Sequence, residues 1–265
     1  MPRLRLSTAR LLAVLTLGAG AGTVGAFQWW TQDCRFVPYD PSNDDLFKST
    51  FYRRFNPNQN PTFHDLCVRK VPLSRLDPSL LRDHEEGGTK LIEAYCAAVW
   101  ASHAYTIQRR YLQQRYSSPT TSHQLWRRSD LRQSPYEVGT EITNHFVVLA
   151  KSPASILLRC GDSPLNTPHG PRHTDGLFEM SVATDKDEGV AEFRMKSLFY
   201  HGVGQVSTSP IRPFSFEAWA HKRYAKLLLE EAVQSCTQNA WGGTRLSSLA
   251  RREQKCTDEG TTQIQ

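Results

Sequence analysis

FEMSVATDKDEGVAEFRMKSLF, Phe178 to Phe199, alternates apolar and polar residues on either side of an acidic turn that ends in glycine. Phe178, Met180 and Val182 alternate with Glu179, Ser181 and Ala183, and Asp185 to Gly189 supplies the turn. Ala191, Phe193, Met195, Ser197 and Phe199 then alternate with Glu192, Arg194 and Lys196. A period of two sends successive side chains to opposite faces, so the stretch predicts an antiparallel hairpin with one face inward and one in water. Glu179 falls on the wet face with Arg194 or Lys196, where a cross-strand ion pair is expected.

The same period extends upstream. Ile142, Asn144, Phe146 and Val148 alternate with Glu141, Thr143, His145 and Val147, predicting a strand that starts near Val138. Lys151 to Pro153 turns the chain, and Ile156, Leu158 and Cys160 share the next inward face. His64 to Leu73 reads as a first strand, on which adjacent His64 and Asp65 point to opposite faces and cannot act together simply.

Helical spacing brackets these strands. Leu91, Ile92, Tyr95, Cys96, Val99, Trp100, His103, Ile107 and Tyr111 predict one helix from about Thr89 to Tyr116. Phe216, Trp219, Tyr224, Leu227, Leu228 and Ala232 predict a last amphipathic helix reaching Cys236. The expected fold class is therefore α+β: a curved antiparallel sheet packed on one or two long helices.

Five segments follow: a basic stretch at 1–10, an uncharged span at 11–30, a Pro- and Asn-rich lead-in at 31–88 holding the first strand, the α+β core at 89–236, and a tail at 237–265. The tail lacks apolar periodicity and reads as disordered. Arg3, Arg5 and Arg10 supply three of the formal net charge of +6, and no acidic residue precedes Asp33. About 20 uncharged residues suffice to cross a bilayer as a helix, so residues 11–30 predict a single-pass transmembrane anchor at a mitochondrial membrane. A secretory signal cleaved near Val24-Gly25-Ala26 is the alternative. The absence of an allowed N-x-S/T sequon and the scatter of six cysteines weigh against it. No stripe of Lys and Arg interleaved with aromatics suggests nucleic acid as a partner.

RCGDSPLNTPHGPRHTDGLFE, Arg159 to Glu179, holds the densest chemistry. Gly161-Asp162-Ser163 resembles the nucleophile block of GDSL esterases, but no later Asp-x-x-His supplies a base, and a serine without a base is a poor nucleophile. Cys160, His169 and His173 are residue types that zinc accepts, but their spacing matches no common zinc pattern, so no metal and no cofactor is expected. Asp162, Ser163, Pro164, Asn166, Pro168, Gly170, Pro171 and Asp175-Gly176 are turn formers, and the stretch reads as a polar loop rimming a pocket.

The order of strand, helical material, antiparallel strands and final helix resembles the helix-grip arrangement of polyketide cyclase and START-like proteins; the hot-dog fold is the alternative. HDLCVRKVPL, the Glu137-Val138-Gly139-Thr140 strand, RCGDSP, DGLFE and AEFRMKS look like uncharacterised fungal membrane-anchored proteins. That resemblance spans Phe36 to Cys236 and brings no catalytic residues with it.

A membrane-anchored binding or accessory protein for a hydrophobic small molecule is the first functional expectation, with Tyr95, Trp100, Phe146, Phe178, Phe193 and Trp219 lining the cavity. An enzyme acting on an acyl or polyketide-like ligand, drawing acid or base groups from His103, His145, Asp162 and Asp175, is the alternative. A structural subunit of a mitochondrial membrane complex is the third. A buried carboxylate or histidine converging with a second polar group favours the enzyme, an apolar cavity favours carriage, and a filled core favours scaffolding.

Overall fold

The structure is a computed structural model that describes residues 24–165, 167 and 169–238. Its centre is a seven-stranded antiparallel sheet ordered β1-β2-β7-β6-β5-β4-β3. The strands are β1 (Arg35–Val37), β2 (Phe63–Pro72), β3 (Glu141–Ile142), β4 (Phe146–Lys151), β5 (Ser155–Gly161), β6 (Asp175–Asp185) and β7 (Val190–Tyr200).

The β6–β7 hairpin forms where the alternation placed it. Asp185 Oδ1 accepts from the amides of Asp187 and Glu188 at 3.0 and 2.9 Å, and Gly189 adopts a φ of 66° that most side chains avoid. Glu179 lies opposite Lys196, and their side chains pair at 3.1 Å, with Asp44 as a second partner of the ammonium at 2.7 Å.

Two helices share the inward face of this sheet. Helix α4 (Lys90–Trp100) lies over β5 and β6, and α7 (Phe216–Ser235) lies over β2 and β7. Between them and the sheet sit Leu91, Tyr95, Val99, Leu229, Val233, Ile156, Leu158, Met180, Phe193 and Met195, all buried. Shorter helices complete the chain: α1 (Asp45–Lys48), α2 (Thr50–Phe55), α3 (Pro78–Glu85), α5 (His103–Tyr116) and α6 (Arg128–Gln133).

Three sequence expectations are corrected. The helix expected from Thr89 to Tyr116 is two helices, because Ser102 turns extended (φ −61°, ψ 158°) and its Oγ accepts from the Tyr105 amide at 2.9 Å. A serine that caps a new helix here outweighs the apolar period. His103, Ile107 and Tyr111 consequently leave the core, Ile107 being 82% exposed and Tyr105 and Leu112 facing inward instead. The strand expected from Val138 through Val148 breaks at Thr143 and Asn144, whose φ values of 47° and 60° are left-handed and reverse the chain between β3 and β4. The outward sheet face is not wet along its whole length. At one end Leu157, Leu177, Leu198 and Tyr200 point outward, and Leu46 and Phe55 of α1 and α2 cover them.

The last helix spans the expected residues, but it is rotated so that Ala218, Ala225, Leu228 and Leu229 are buried while Phe216 and Trp219 are 75% and 55% exposed. Among the described residues no helix is long and apolar enough to cross a membrane. The basic stretch at 1–10, residues 11–23 of the expected anchor and residues 239–265 of the expected tail lie outside the described residues.

Candidate binding cavity

The gap left between the two helices and the sheet near the C-terminal end of α4 is a cavity of about 290 Å³. Trp100, Phe146, Phe178, Met195, Phe199 and Leu228 make most of its wall. Trp100 is the keystone of the aromatic part, its ring lying 4.5 Å from Phe146, 5.1 Å from Tyr105 and 5.9 Å from Phe178. Such tilted and edge-on contacts are the arrangements that aromatic quadrupoles favour.

Polar groups reach the cavity from few directions. The Tyr224 hydroxyl donates to Gln108 Oε1 at 2.9 Å across α5 and α7, and the Tyr105 hydroxyl pairs with Thr143 Oγ1. His145 lines the wall with its ring 4.8 Å from Tyr116, and Ser197 and His221 close the β2–β7 end. Cys160 is also there, but burial, followed by the charge of Asp175, pushes its thiol up to about 12, so it stands neutral and is no thiolate nucleophile. All five described cysteines are buried free thiols, and among the described residues no cluster of three His, Cys, Asp or Glu could hold a metal ion.

Of the sequence-selected aromatics, Trp100, Phe146 and Phe178 face the cavity. Tyr95 and Phe193 lie in the packed core, ring to ring at 5.1 Å, and Trp219 borders a separate surface groove with Phe63 and Phe214.

Of the four acid–base candidates, only His145 faces the cavity. His103 is exposed, its Nδ1 2.8 Å from Glu231. Asp162 accepts from the Thr174 amide at 3.1 Å, and Ser163 donates to Asn144 Oδ1 at 2.8 Å, so neither of the pair meets a base. Asp175 is fully buried and spent on structure. Its Oδ1 accepts from Arg159 Nε at 2.9 Å and its Oδ2 from Arg159 Nη2 at 2.6 Å and the Arg172 amide at 3.0 Å. The stretch expected to be a turn-forming polar loop is organised around one buried Arg–Asp fork, with Arg172 reaching back to the carbonyls of Asp162 and Thr167.

The sequence reading missed Asp65, His221, Gln108 and Tyr105. Asp65 carried a signal: it occupies an inward position between Phe63 and Cys67, where an acidic residue is out of place without a partner. His221 carried one too, sitting between the inward residues Ala218 and Ala225 at spacings of three and four.

Burial lowers the pKa of His145 and, on the distant strand β2, that of His64. The unfolded chain takes up protons on these imidazoles near pH 6.5, whereas the folded chain resists until lower pH. Below about pH 6.5 the unfolded state therefore binds more protons, and stability falls with pH. Urea midpoints compared at about pH 7.5 and about pH 5.5 should drop less in His145→Gln than in the native protein. An equal drop in both would show that His145 contributes nothing to the pH response.

Comparison with protein-family models, curated proteins and solved structures finds no match for this chain.

Proposed function

We propose that this chain binds a small hydrophobic molecule in the cavity between α4, α7 and the sheet. The observation that carries the reading is the cavity itself, an aromatic-walled space of about 290 Å³ inside an otherwise packed core. Its volume sits at the low end for ligand sites and suits a molecule of about two fused rings.

The architecture supports a helix-grip-like description in which two helices, α4 and α7, share the grip. Attachment to a mitochondrial membrane is part of the same proposal and rests on Arg3, Arg5 and Arg10 ahead of the uncharged span.

Naphthalene titrated calorimetrically into the purified full-length protein should bind one to one, with the negative heat-capacity change of apolar burial. Ala225→Trp, which builds an indole into the cavity wall, should abolish binding while leaving the protein folded. Absence of saturable binding, or binding that survives Ala225→Trp, would remove the cavity as the site.

A further inference from the structure

The β2–β7 end of the cavity holds polar groups that the fold leaves unanswered. Asp65 and Ser197 lie side by side, in register with each other on adjacent strands, at 6% and 1% exposure. His221 comes down from α7 with its Nε2 3.1 Å from Asp65 Oδ2 and its ring held edge-on by Phe63 at 5.6 Å and Phe199 at 5.3 Å. Beyond that ion pair, the Asp65 carboxylate, His221 Nε2 and Ser197 Oγ make no hydrogen bond among the described residues, and these atoms are buried.

Buried polar groups are normally hydrogen-bonded, and an ion pair with free bonding capacity beside an unanswered hydroxyl at one cavity end is an arrangement that a polar ligand group can complete. His221 and Ser197 face the cavity, while Asp65 stands behind them. Their chemistry is complementary. Ser197 offers a hydroxyl donor to an acceptor oxygen, and a histidine backed by a carboxylate is a proton acceptor. A donor and a base side by side against an apolar wall are what removal of a proton beside a carbonyl group requires.

We infer that the cavity takes a ligand bearing an enolisable carbonyl and that His221 is its proton acceptor; this rests on the cavity being a binding site. The C–H bond beside the carbonyl breaks, and its proton passes to His221 Nδ1, the nitrogen turned from Asp65. The electron pair forms the carbon–carbon double bond and moves charge onto the carbonyl oxygen, which accepts from Ser197 Oγ. Asp65 is a positioning residue that orients the imidazole and balances the imidazolium. Return of a proton from the same nitrogen, after exchange with solvent, closes the cycle without any further reactant.

The probe is 2-tetralone, a bicyclic ketone, incubated with the full-length protein in D₂O while loss of its ring protons beside the carbonyl is followed by NMR. The native protein should accelerate exchange by about a hundredfold or more over buffer, in line with general-base catalysis. His221→Gln should lose that acceleration and still bind naphthalene; His221→Phe, whose ring suits the slot between Phe63 and Phe199, repeats the test should the glutamine fail to fold. Asp65→Asn should slow exchange by about tenfold or more without changing the half-saturating tetralone concentration, a split that loss of structure would not give. His103→Gln, at an exposed site, should leave exchange unchanged. Naphthalene binding with no tetralone exchange above buffer, or exchange that persists in both His221 variants, overturns the inference and leaves the cavity reading standing. Failure to bind naphthalene removes the cavity reading instead.

Discussion

Asp175→Ala is expected to destabilise the protein by about 3–5 kcal/mol, a large share of the stability of a domain this size. The carboxylate removed is fully buried and answers two guanidinium N–H groups and two backbone amides, those of Arg172 and Gly176. Arg159 would be left at 1% exposure with a single carbonyl partner, Gly170, and the face of Phe55 3.7 Å from its guanidinium carbon. A charge stranded in that way costs more than the pair contributes, because neither water nor a second anion can reach it. The double variant Arg159→Met/Asp175→Leu should recover part of the loss, since it removes both charges and keeps apolar volume. Urea unfolding of the native, single and double variants decides between these outcomes. A cost below about 1 kcal/mol for Asp175→Ala would mean that the fork does not hold the loop.

Trp100→Ala is the second large effect, at about 3–5 kcal/mol. The indole is 2% exposed and touches the rings of Tyr105, Phe146 and Phe178. Its removal deletes three aromatic contacts and merges its own volume with the cavity, which cannot collapse because the sheet behind it is pinned by neighbouring strands. The unfolding midpoint should fall sharply, and naphthalene, now loosely held, should restore part of it by mass action. Stability within about 1 kcal/mol of the native value would show that the site relaxes around the gap.

The sheet was readable from the sequence because β6 and β7 alternate from Phe178 to Val182 and from Ala191 to Met195, with apolar residues inward. Helix α4 was readable for the same reason. The break at Ser102 was not, because Trp100, His103 and Ile107 keep a helical period across it, and only the capping serine opposes them. In the loop, residue types were misleading: Asp175 and Asp162 could be chemical or architectural, and the choice depends on Arg159 lying opposite, which spacing alone does not reveal. The cavity's polar end was hardest. Asp65, Ser197 and His221 come from three distant parts of the chain, and only the pairing of β2 with β7 under α7 brings them together.

That pairing also governs when the protein can exist at all. The strand at Phe63–Pro72 is central to the sheet, yet its partner is Val190–Tyr200 and its cover is Phe216–Ser235. A chain leaving the ribosome at about 5–20 residues per second carries this strand with only the three-residue β1 beside it for several seconds before its longer neighbour emerges. Contacts so distant along the chain make folding slow and late. Newly made chains therefore expose one edge of this strand until Val190–Tyr200 is made, and the cavity under Phe216–Ser235 is among the last features to form.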